Sequence, residues 1–232
     1  LEDIRQFTQE QSDMVWVNDG KINVENVFGR SLSLVTRFRD EHISDNLITW
    51  TPAWNEALRE DRHIFTACAT WSVKFSIESS DPQQKNLGRW GLMSAPEGNA
   101  NLGGTSMGIT KTCKDKRLAW EFLKFATLST EGARTLNSMG LMTTAKKPYE
   151  EDPSLKSYKS RWFGNQDLGI YYMDHIIPSI KTRTLTSQDG VIHECLWMIL
   201  NALNRDGNLS SEEAEELLRE ELQKELKDIT VY

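Results

Sequence analysis

The sequence contains few cysteines, and their spacing is not that of a metal site. Its 232 residues include three cysteines, Cys68, Cys113 and Cys195, which lie far apart in the chain. A structural zinc site uses cysteine or histidine ligands at short, regular spacings, and the sequence has no such cluster. We therefore predict no metal site and no cofactor that depends on one. The odd, unpaired cysteine count leaves the redox compartment undefined.

Long apolar runs and an excess of positive charge are also missing. No run approaches the about 18–20 apolar residues of a membrane-spanning helix. The formal net charge is −7 and the sequence pI is about 5.2, which argues against a nucleic-acid partner. With 38% hydrophobic and 26% charged residues, the chain is able to form a packed core. At about 100–200 residues per domain, its length fits one large domain or two small ones.

Motifs for nucleotide binding and for nucleophilic catalysis are absent. The glycine-rich segment "APEGNANLGGTSMGITK", residues 95–111, has Thr105 and not lysine directly after Gly104, and it matches neither a phosphate loop nor a dinucleotide fingerprint. No Gly-x-Ser-x-Gly motif occurs. Three carboxylates, Glu56, Asp61 and Asp167, leave open an enzyme that uses a carboxylate pair on glycosides.

Hydrophobic periodicity predicts a helix-rich α/β protein. Short strands are predicted at residues 14–17, 64–69, 90–95 and 105–110, which are too few for a full sheet. Asp115, Ser129 and the pair Ser210 and Glu213 are predicted to cap the helices that follow them. The predicted helices lie at about residues 24–41, 54–60, 115–126, 129–140, 167–176, 188–204 and 211–228.

Eight tryptophans are more than a core of this size usually needs. Trp50, Trp54 and Trp71 flank one short stretch, and Trp162 lies in a polar loop. Flat aromatic faces stack on the apolar faces of sugar rings, so this grouping suggests a carbohydrate site. Burial of Trp50 and Trp54 in the core is the alternative. Trp71 is the strongest candidate because it follows a predicted strand directly, where ligands bind in open α/β sheets.

Several segments in order resemble a known family. They are "WGLMSAPEG", "LGGTSMGITK", "KRLAWEFLKFATLSTEGARTLNSMG", "FGNQD" and "RTLTSQDGVI", which together lie between residues 90 and 192. Over about residues 14–228 the chain is similar to the carboxyl-terminal portion of extracellular solute-binding proteins of ABC sugar importers, in the maltodextrin-binding-like group. The match departs from the family at Asn165, where the family has a second glycine.

The resemblance implies an α/β fold of the periplasmic-binding-protein-like class II, with two lobes that close on a ligand. It implies that residues 1–88 form the first part of lobe two, residues 89–140 a segment of lobe one with strands and helices, and residues 141–232 the returning helices of lobe two. Because only the carboxyl-terminal portion is matched, we expect the amino-terminal part of the usual fold to be absent. Such a fragment is expected to bind sugar weakly or not at all by itself.

The resemblance also implies a non-catalytic function. The protein would bind a sugar or oligosaccharide and deliver it to the permease subunits of an ABC transporter, without a cofactor. It would work in the periplasm or, as a lipoprotein, at the extracellular face of the membrane. A sensory or interaction module that reuses the fold is a further alternative. Ligand-binding residues implied by position are Trp71, Trp54, Gly103, Gly104, Trp162, Phe163 and Arg183.

Overall fold

The structure is a computed structural model, and it describes residues 2–45, 47–60, 62–101 and 104–232. Helix accounts for 54% of the chain. The α-helices, numbered in chain order, are α1 (Glu2–Glu10), α2 (Arg30–Asp40), α3 (Pro52–Arg59), α4 (Thr70–Ser72), α5 (Lys116–Leu128), α6 (Thr130–Ser138), α7 (Lys147–Glu151), α8 (Leu168–Tyr171), α9 (Asp189–Arg205) and α10 (Ser211–Glu225).

Irregular helical turns extend several of these helices. In the described residues, the π-helical segment Glu25–Gly29 precedes α2, Val73–Glu78 follows α4, and Tyr172–Ile176 follows α8. Short 3₁₀ helices lie at Pro153–Lys156, Arg161–Phe163 and Ile177–Ser179. The strands of the described residues are β1 (Lys21–Ile22) and β2 (Thr230–Val231), which pair in parallel with Lys21 opposite Thr230.

The predicted helix caps are confirmed. The side chain of Asp115 accepts a hydrogen bond from Leu118 N, and that of Ser129 accepts one from Gly132 N. Ser210 and Glu213 form the full capping box at the start of α10. These caps satisfy backbone N–H groups that have no partner inside the helix, which is why polar residues at these positions fix where each helix begins.

The four predicted strands are wrong: the structure assigns no strand to residues 14–17, 64–69, 90–95 or 105–110. The segment 90–95 shows the physical reason, since its backbone is held by side chains. Gln166 bonds both the N–H and the carbonyl of Leu92, at 2.8 Å each, and the Tyr171 hydroxyl accepts from Ser94 N at 3.0 Å. Periodicity marks a segment as extended, but a strand also needs a neighbouring strand.

The chain forms two compact units. Unit 1 comprises residues 1–47, 97–102 and 180–232, and unit 2 comprises residues 48–96 and 103–179. The predicted lobe boundaries at residues 88 and 140 stay a prediction. No helix in the described part of the chain has the length and apolarity needed to cross a membrane.

The core of unit 1 is built on α9 and α10. Apolar residues at helical spacing on both helices are buried with Trp16 and Phe28, whose rings meet edge to face at 5.4 Å. The two-residue strands β1 and β2 close this core through Ile22 and Val231. The other members of the cluster are Val24, Leu32, Val35, Ile192, Cys195, Leu196, Ile199, Leu200, Leu203, Ala214, Leu218, Leu222 and Leu226.

Unit 2 has a smaller core and a more apolar surface. Leu58, Val73, Ile77, Leu168 and Tyr172 are buried in it. Helix α5, in contrast, contains no buried residue although it is 13 residues long. Its exposed large apolar side chains are Leu118, Trp120, Phe122, Phe125 and Leu128. Leu118, Phe122 and Phe125 share one face of α5, and an exposed apolar face of this kind indicates an interaction surface.

Candidate functional site

Three tryptophans come together at the surface of unit 2. The rings of Trp50 and Trp71 are stacked, with centroids 5.6 Å apart and planes 23° from parallel. The Trp54 ring is tilted by 48° from that of Trp50, at 5.7 Å. Trp50 is 55% exposed and Trp71 39% exposed, while Trp54 is partly buried. We call these three residues the tryptophan cluster.

Helix α3 fixes the position of Trp54. Thr51 is the N-cap, and its side-chain oxygen accepts from Trp54 N at 3.3 Å. Pro52 occupies the first helical position, where its missing N–H is not needed. Ala57 and Leu58, one turn further along the same face of the helix, are buried in the core of unit 2. Sequence therefore determines the start of α3 and, with it, the side of the helix that carries Trp54.

Trp71 lies where an extended segment becomes a helix. Helix α4 begins at Thr70 and continues as the π-helical segment Val73–Glu78, which buries Val73 and Ile77. Just before it, the carbonyl of Cys68 accepts a hydrogen bond of 2.8 Å from the hydroxyl of Tyr172. This bond ties the chain entering Trp71 to the helical region that follows α8.

Both side chains of this pair, the thiol of Cys68 and the hydroxyl of Tyr172, have raised pKa values. Burial raises the pKa of the Cys68 thiol to about 11, so the thiol is neutral at physiological pH. Burial and the neighbouring Cys68 also raise the pKa of Tyr172, so its hydroxyl remains a donor. A neutral thiol with a raised pKa is a poor nucleophile, so the role of this pair is to hold the local structure.

Replacing Tyr172 by phenylalanine is expected to lower the free energy of unfolding by about 1–3 kcal/mol. The substitution leaves the partly buried carbonyl of Cys68 without its donor, and the loss of a hydrogen-bond partner by a poorly hydrated acceptor costs about that much. Urea denaturation followed by circular dichroism measures the change. The matched control is Tyr232→Phe at an exposed tyrosine, for which a change within about 0.5 kcal/mol is expected. Equal effects of the two substitutions would contradict the assignment.

Trp162 and Phe163 lie in a loop of unit 2 that is held by hydrogen bonds and by burial. The carboxylate of Asp81 accepts from the backbone N–H of Lys85 and Asn86 and from Trp162 Nε1 at 3.1 Å. Burial of Asp81 opposes its ionisation, but these hydrogen bonds outweigh it and lower its pKa. Phe163 is only 4% exposed. The structure thus places both side chains in internal contacts of unit 2, with the indole N–H of Trp162 already bonded.

The glycine-rich segment divides between the two units. Gly103 lies outside the described residues. Gly104 is exposed, and a Cβ added there would meet nothing within 4 Å. Residues 97–102 belong to unit 1, where the side chain of Gln11 donates to Gly98 O at 2.7 Å and Arg30 forms an ion pair with Glu97.

Arg183 belongs to unit 1 and is engaged in a buried ion cluster. Its side chain is 5% exposed and pairs with Asp189 at 2.5 Å and with Glu10 at 3.5 Å. The guanidinium also lies 3.7 Å above the ring of Trp16. Every one of these partners is part of unit 1. Among the other predicted site residues, Trp54 and Trp71 each contact Trp50 within unit 2.

The carboxylates of the enzyme alternative occupy unlike settings. Asp167 caps α8: its oxygens accept from Ser157 Oγ, Tyr158 N and Ile170 N. Burial opposes the ionisation of Asp167, and these hydrogen bonds outweigh it and lower its pKa. Glu56 lies on α3, and Asp61 lies outside the described residues. A general acid needs a raised pKa, and Asp167 has the opposite.

Unit 1 also contains cavities away from the tryptophan cluster. One, of about 560 Å³, is lined by Arg5, His193, Cys195, Trp197 and neighbouring residues of α9. A second of similar volume is lined by Trp16, asparagines 18, 23 and 26, and Tyr232. Each contains a tryptophan, so ligand binding there and at the tryptophan cluster would give different spectroscopic signals.

The contact of Trp50 with Trp71 could not be predicted from sequence. Trp50 has a backbone φ of +68°, a conformation that bulky residues rarely adopt, and its ring is stacked on Trp71 from that position. Nothing in the sequence marks that angle, since neither glycine nor asparagine occupies the position. The proximity of the three tryptophans along the chain is the one signal that points to their contact.

The chain was compared with known families, curated proteins and solved structures. The family model described as bacterial extracellular solute-binding protein matches residues 11–161, about two thirds of the chain. No curated protein and no solved structure gave a significant match. The matched range contains the whole tryptophan cluster and the helices α2 to α7. The chain therefore belongs to the family of bacterial extracellular solute-binding proteins.

Proposed function

We propose that the protein binds a carbohydrate at the tryptophan cluster and delivers it to the permease subunits of an ABC importer. The observation that carries the proposal is the exposed tryptophan cluster within the range matched by the family. Families of this kind bind solutes and are generally non-catalytic. That membership supports a function in binding rather than in turnover, and the aromatic surface supports carbohydrate as the class of solute.

A neutral sugar fits the chemistry of this surface better than a phosphate or a metal ion. Indole faces stack on the C–H-rich faces of pyranose rings, and such rings need only a few polar groups beside them. Thr49, Thr51 and Asn55 are neutral polar residues next to Trp50 and Trp54 in the chain. In the described residues, no group of three or more histidines, cysteines or acidic residues is placed to hold a metal ion.

The full binding protein is proposed to contain more polypeptide than this chain. Helix α5 supports the proposal, because its apolar side chains are exposed and would be buried by a further segment. The extended residues 104–110 before α5 are also exposed in most positions and would gain strand partners from such a segment. A two-lobed class II fold, and location in the periplasm or as a lipoprotein at the outer face of the membrane, are parts of the same proposal.

If the chain is such a portion, its own affinity for sugar should be low. We expect dissociation constants in the millimolar range or weaker, near −4 kcal/mol of binding free energy. A calorimetric titration that gave micromolar binding to this chain alone would contradict the proposal that further polypeptide is needed.

Replacing Trp71 by alanine is expected to abolish this binding. The substitution removes the ring on which the sugar is proposed to stack, and the loss of a stacking surface from a millimolar site leaves no measurable affinity. The indole N–H signals of the eight tryptophans, followed by nuclear magnetic resonance during titration with maltotriose and cellotriose, provide the measurement.

Trp120→Ala is the matched control, because Trp120 is similarly exposed and also lies in unit 2. Binding should persist in this variant. Retention of binding in Trp71→Ala would remove Trp71 from the site. A response confined to the signals of Trp197 or Trp16 would show that the ligand binds in the cavities of unit 1. No response to any sugar would favour an interaction module over a binding protein.

A further inference from the structure

The backbone of Trp50 is held in a turn that strains it. The carbonyl of Ile48 accepts from Thr51 N at 3.3 Å and from Thr51 Oγ1 at 2.7 Å, which closes a tight turn over Thr49 and Trp50. Within that turn Trp50 has φ +68°, the left-handed region. A side chain with a Cβ crowds its own carbonyl there, and large residues are rare in this conformation.

The ring of Trp50 covers a surface that the proposed function needs. It is stacked on Trp71 at 5.6 Å and 23°, an offset arrangement in which one ring covers part of the face of the other. A sugar that stacks on the same face of Trp71 would have to replace the indole of Trp50. At 55% exposed, the Trp50 ring has open space into which it can move.

The two helical tryptophans and Trp50 differ in how firmly they are held. Trp54 is on α3 and Trp71 on α4, and both helices have neighbouring residues buried in the core of unit 2. Trp50 lies in a turn at the beginning of unit 2, two residues before α3 and outside any regular element. Backbone strain opposes its stacked position, while ring stacking favours it, so the position is only weakly stabilised.

We propose that Trp50 is a displaceable cap on Trp71. In the free protein its ring occupies the stacking face of Trp71, and a sugar ring takes its place on binding. This inference rests on the proposed function, since it concerns the same face of Trp71. Trp50 is then a specificity-determining residue: a ligand binds only when its stacking on Trp71 exceeds that of the indole it displaces, which selects against small or strongly polar solutes.

The test uses Trp50→Asn in the full chain. Asparagine tolerates the left-handed region, so the turn is retained while the ring is lost. Titration with maltotriose and with cellotriose is followed through the indole N–H signals of Trp71 and Trp54. Because the ligand no longer has to break an aromatic stack, its dissociation constant should fall about 2- to 10-fold. In the wild-type protein, the Trp50 signal should move toward that of an unstacked indole as sugar is added.

Trp120→Asn is the control for removal of an exposed tryptophan, and its dissociation constant should equal that of the wild type. If the wild type binds sugar and Trp50→Asn binds it with equal or weaker affinity, Trp50 is not a displaceable cap. An equal affinity means that Trp50 does not affect binding, and a weaker affinity means that Trp50 itself contacts the sugar. Either result leaves the proposed function standing. If neither the wild type nor any variant binds sugar, the proposed function fails and the cap fails with it. The remaining indole signals report whether each variant is folded.

Discussion

Replacing Arg183 by alanine is expected to lower the free energy of unfolding by about 3–5 kcal/mol. The guanidinium is 5% exposed, and its removal leaves the carboxylates of Asp189 and Glu10 without a counter-charge in unit 1. Breaking a buried pair by deleting one partner costs about this much, because an unpaired charge remains in a poorly hydrated place. The contact of the guanidinium with the Trp16 ring is lost as well.

Urea denaturation followed by circular dichroism and by tryptophan fluorescence measures this loss. The matched control is Arg134→Ala, which breaks an exposed pair with Asp152 at 2.8 Å. Surface pairs contribute about 0–1 kcal/mol, so this variant should be close to the wild type. A loss below about 1 kcal/mol in Arg183→Ala would show that the ion cluster does not stabilise unit 1.

The same cluster gives stability a defined dependence on pH. Burial of Asp189 opposes its ionisation, but hydrogen bonds from Thr186 and Arg183 outweigh it and hold the pKa below its usual value. A group whose pKa is lowered in the folded state stabilises it above the unfolded pKa of about 3.9. This contribution is lost as the pH falls from about 4 through the lower pKa of the folded state. In Arg183→Ala the acid-induced loss should be smaller, since one cause of the shift is gone.

Replacing Gly169 by alanine is expected to lower the free energy of unfolding by about 1–3 kcal/mol. An added Cβ would lie 2.2 Å from Lys156 O and 2.8 Å from Tyr158 N, and both are backbone atoms that cannot move without shifting the loop. Gly169 is the second residue of α8, and the carbonyl of Tyr158 accepts from both Leu168 N and Gly169 N. The close approach of that loop therefore requires glycine.

The strain at Gly169 should also reach the tryptophan cluster. Helix α8 leads directly to Tyr172, whose hydroxyl holds the carbonyl of Cys68 three residues before Trp71. We therefore expect Gly169→Ala to shift the indole signals of Trp71 and Trp50 as well as the urea midpoint. Gly104→Ala is the matched control, since its added Cβ meets nothing within 4 Å. Equal stability of the two variants would contradict the packing at Gly169.

The longer helices of this protein largely follow from local sequence, whereas the short helices α4 and α7 were not predicted and the strands were predicted in the wrong places. Asp115, Ser129 and Ser210 each cap a helix, because a cap needs only backbone N–H groups two or three residues away. A strand needs a partner from another part of the chain. The segment 90–95 has the composition of a strand, but Gln166 and Tyr171 bond its backbone instead. Such long-range side-chain partners leave no periodic signal.

The candidate site was predictable in part for the same reason. Trp54 and Trp71 are candidates because they are close in sequence, although the strand predicted before Trp71 is absent and helix α4 begins there instead. The contact between Trp50 and Trp71 depends on one backbone angle in a turn. The setting of Arg183 depends on Glu10 and Trp16, which are far from it in the chain. No local sequence pattern predicts either arrangement.

The central claim is that the tryptophan cluster binds carbohydrate. The most direct measurement is the titration of the isotope-labelled protein with maltotriose and cellotriose while all eight indole N–H signals are recorded. We predict that the signals of Trp50, Trp54 and Trp71 shift until they saturate, with a dissociation constant in the millimolar range. The signals of Trp120 and Trp197 should not change. If none of these three signals shifts, carbohydrate binding at the tryptophan cluster is contradicted. The same holds if the signals of Trp50 and Trp54 still shift in the Trp71→Ala variant.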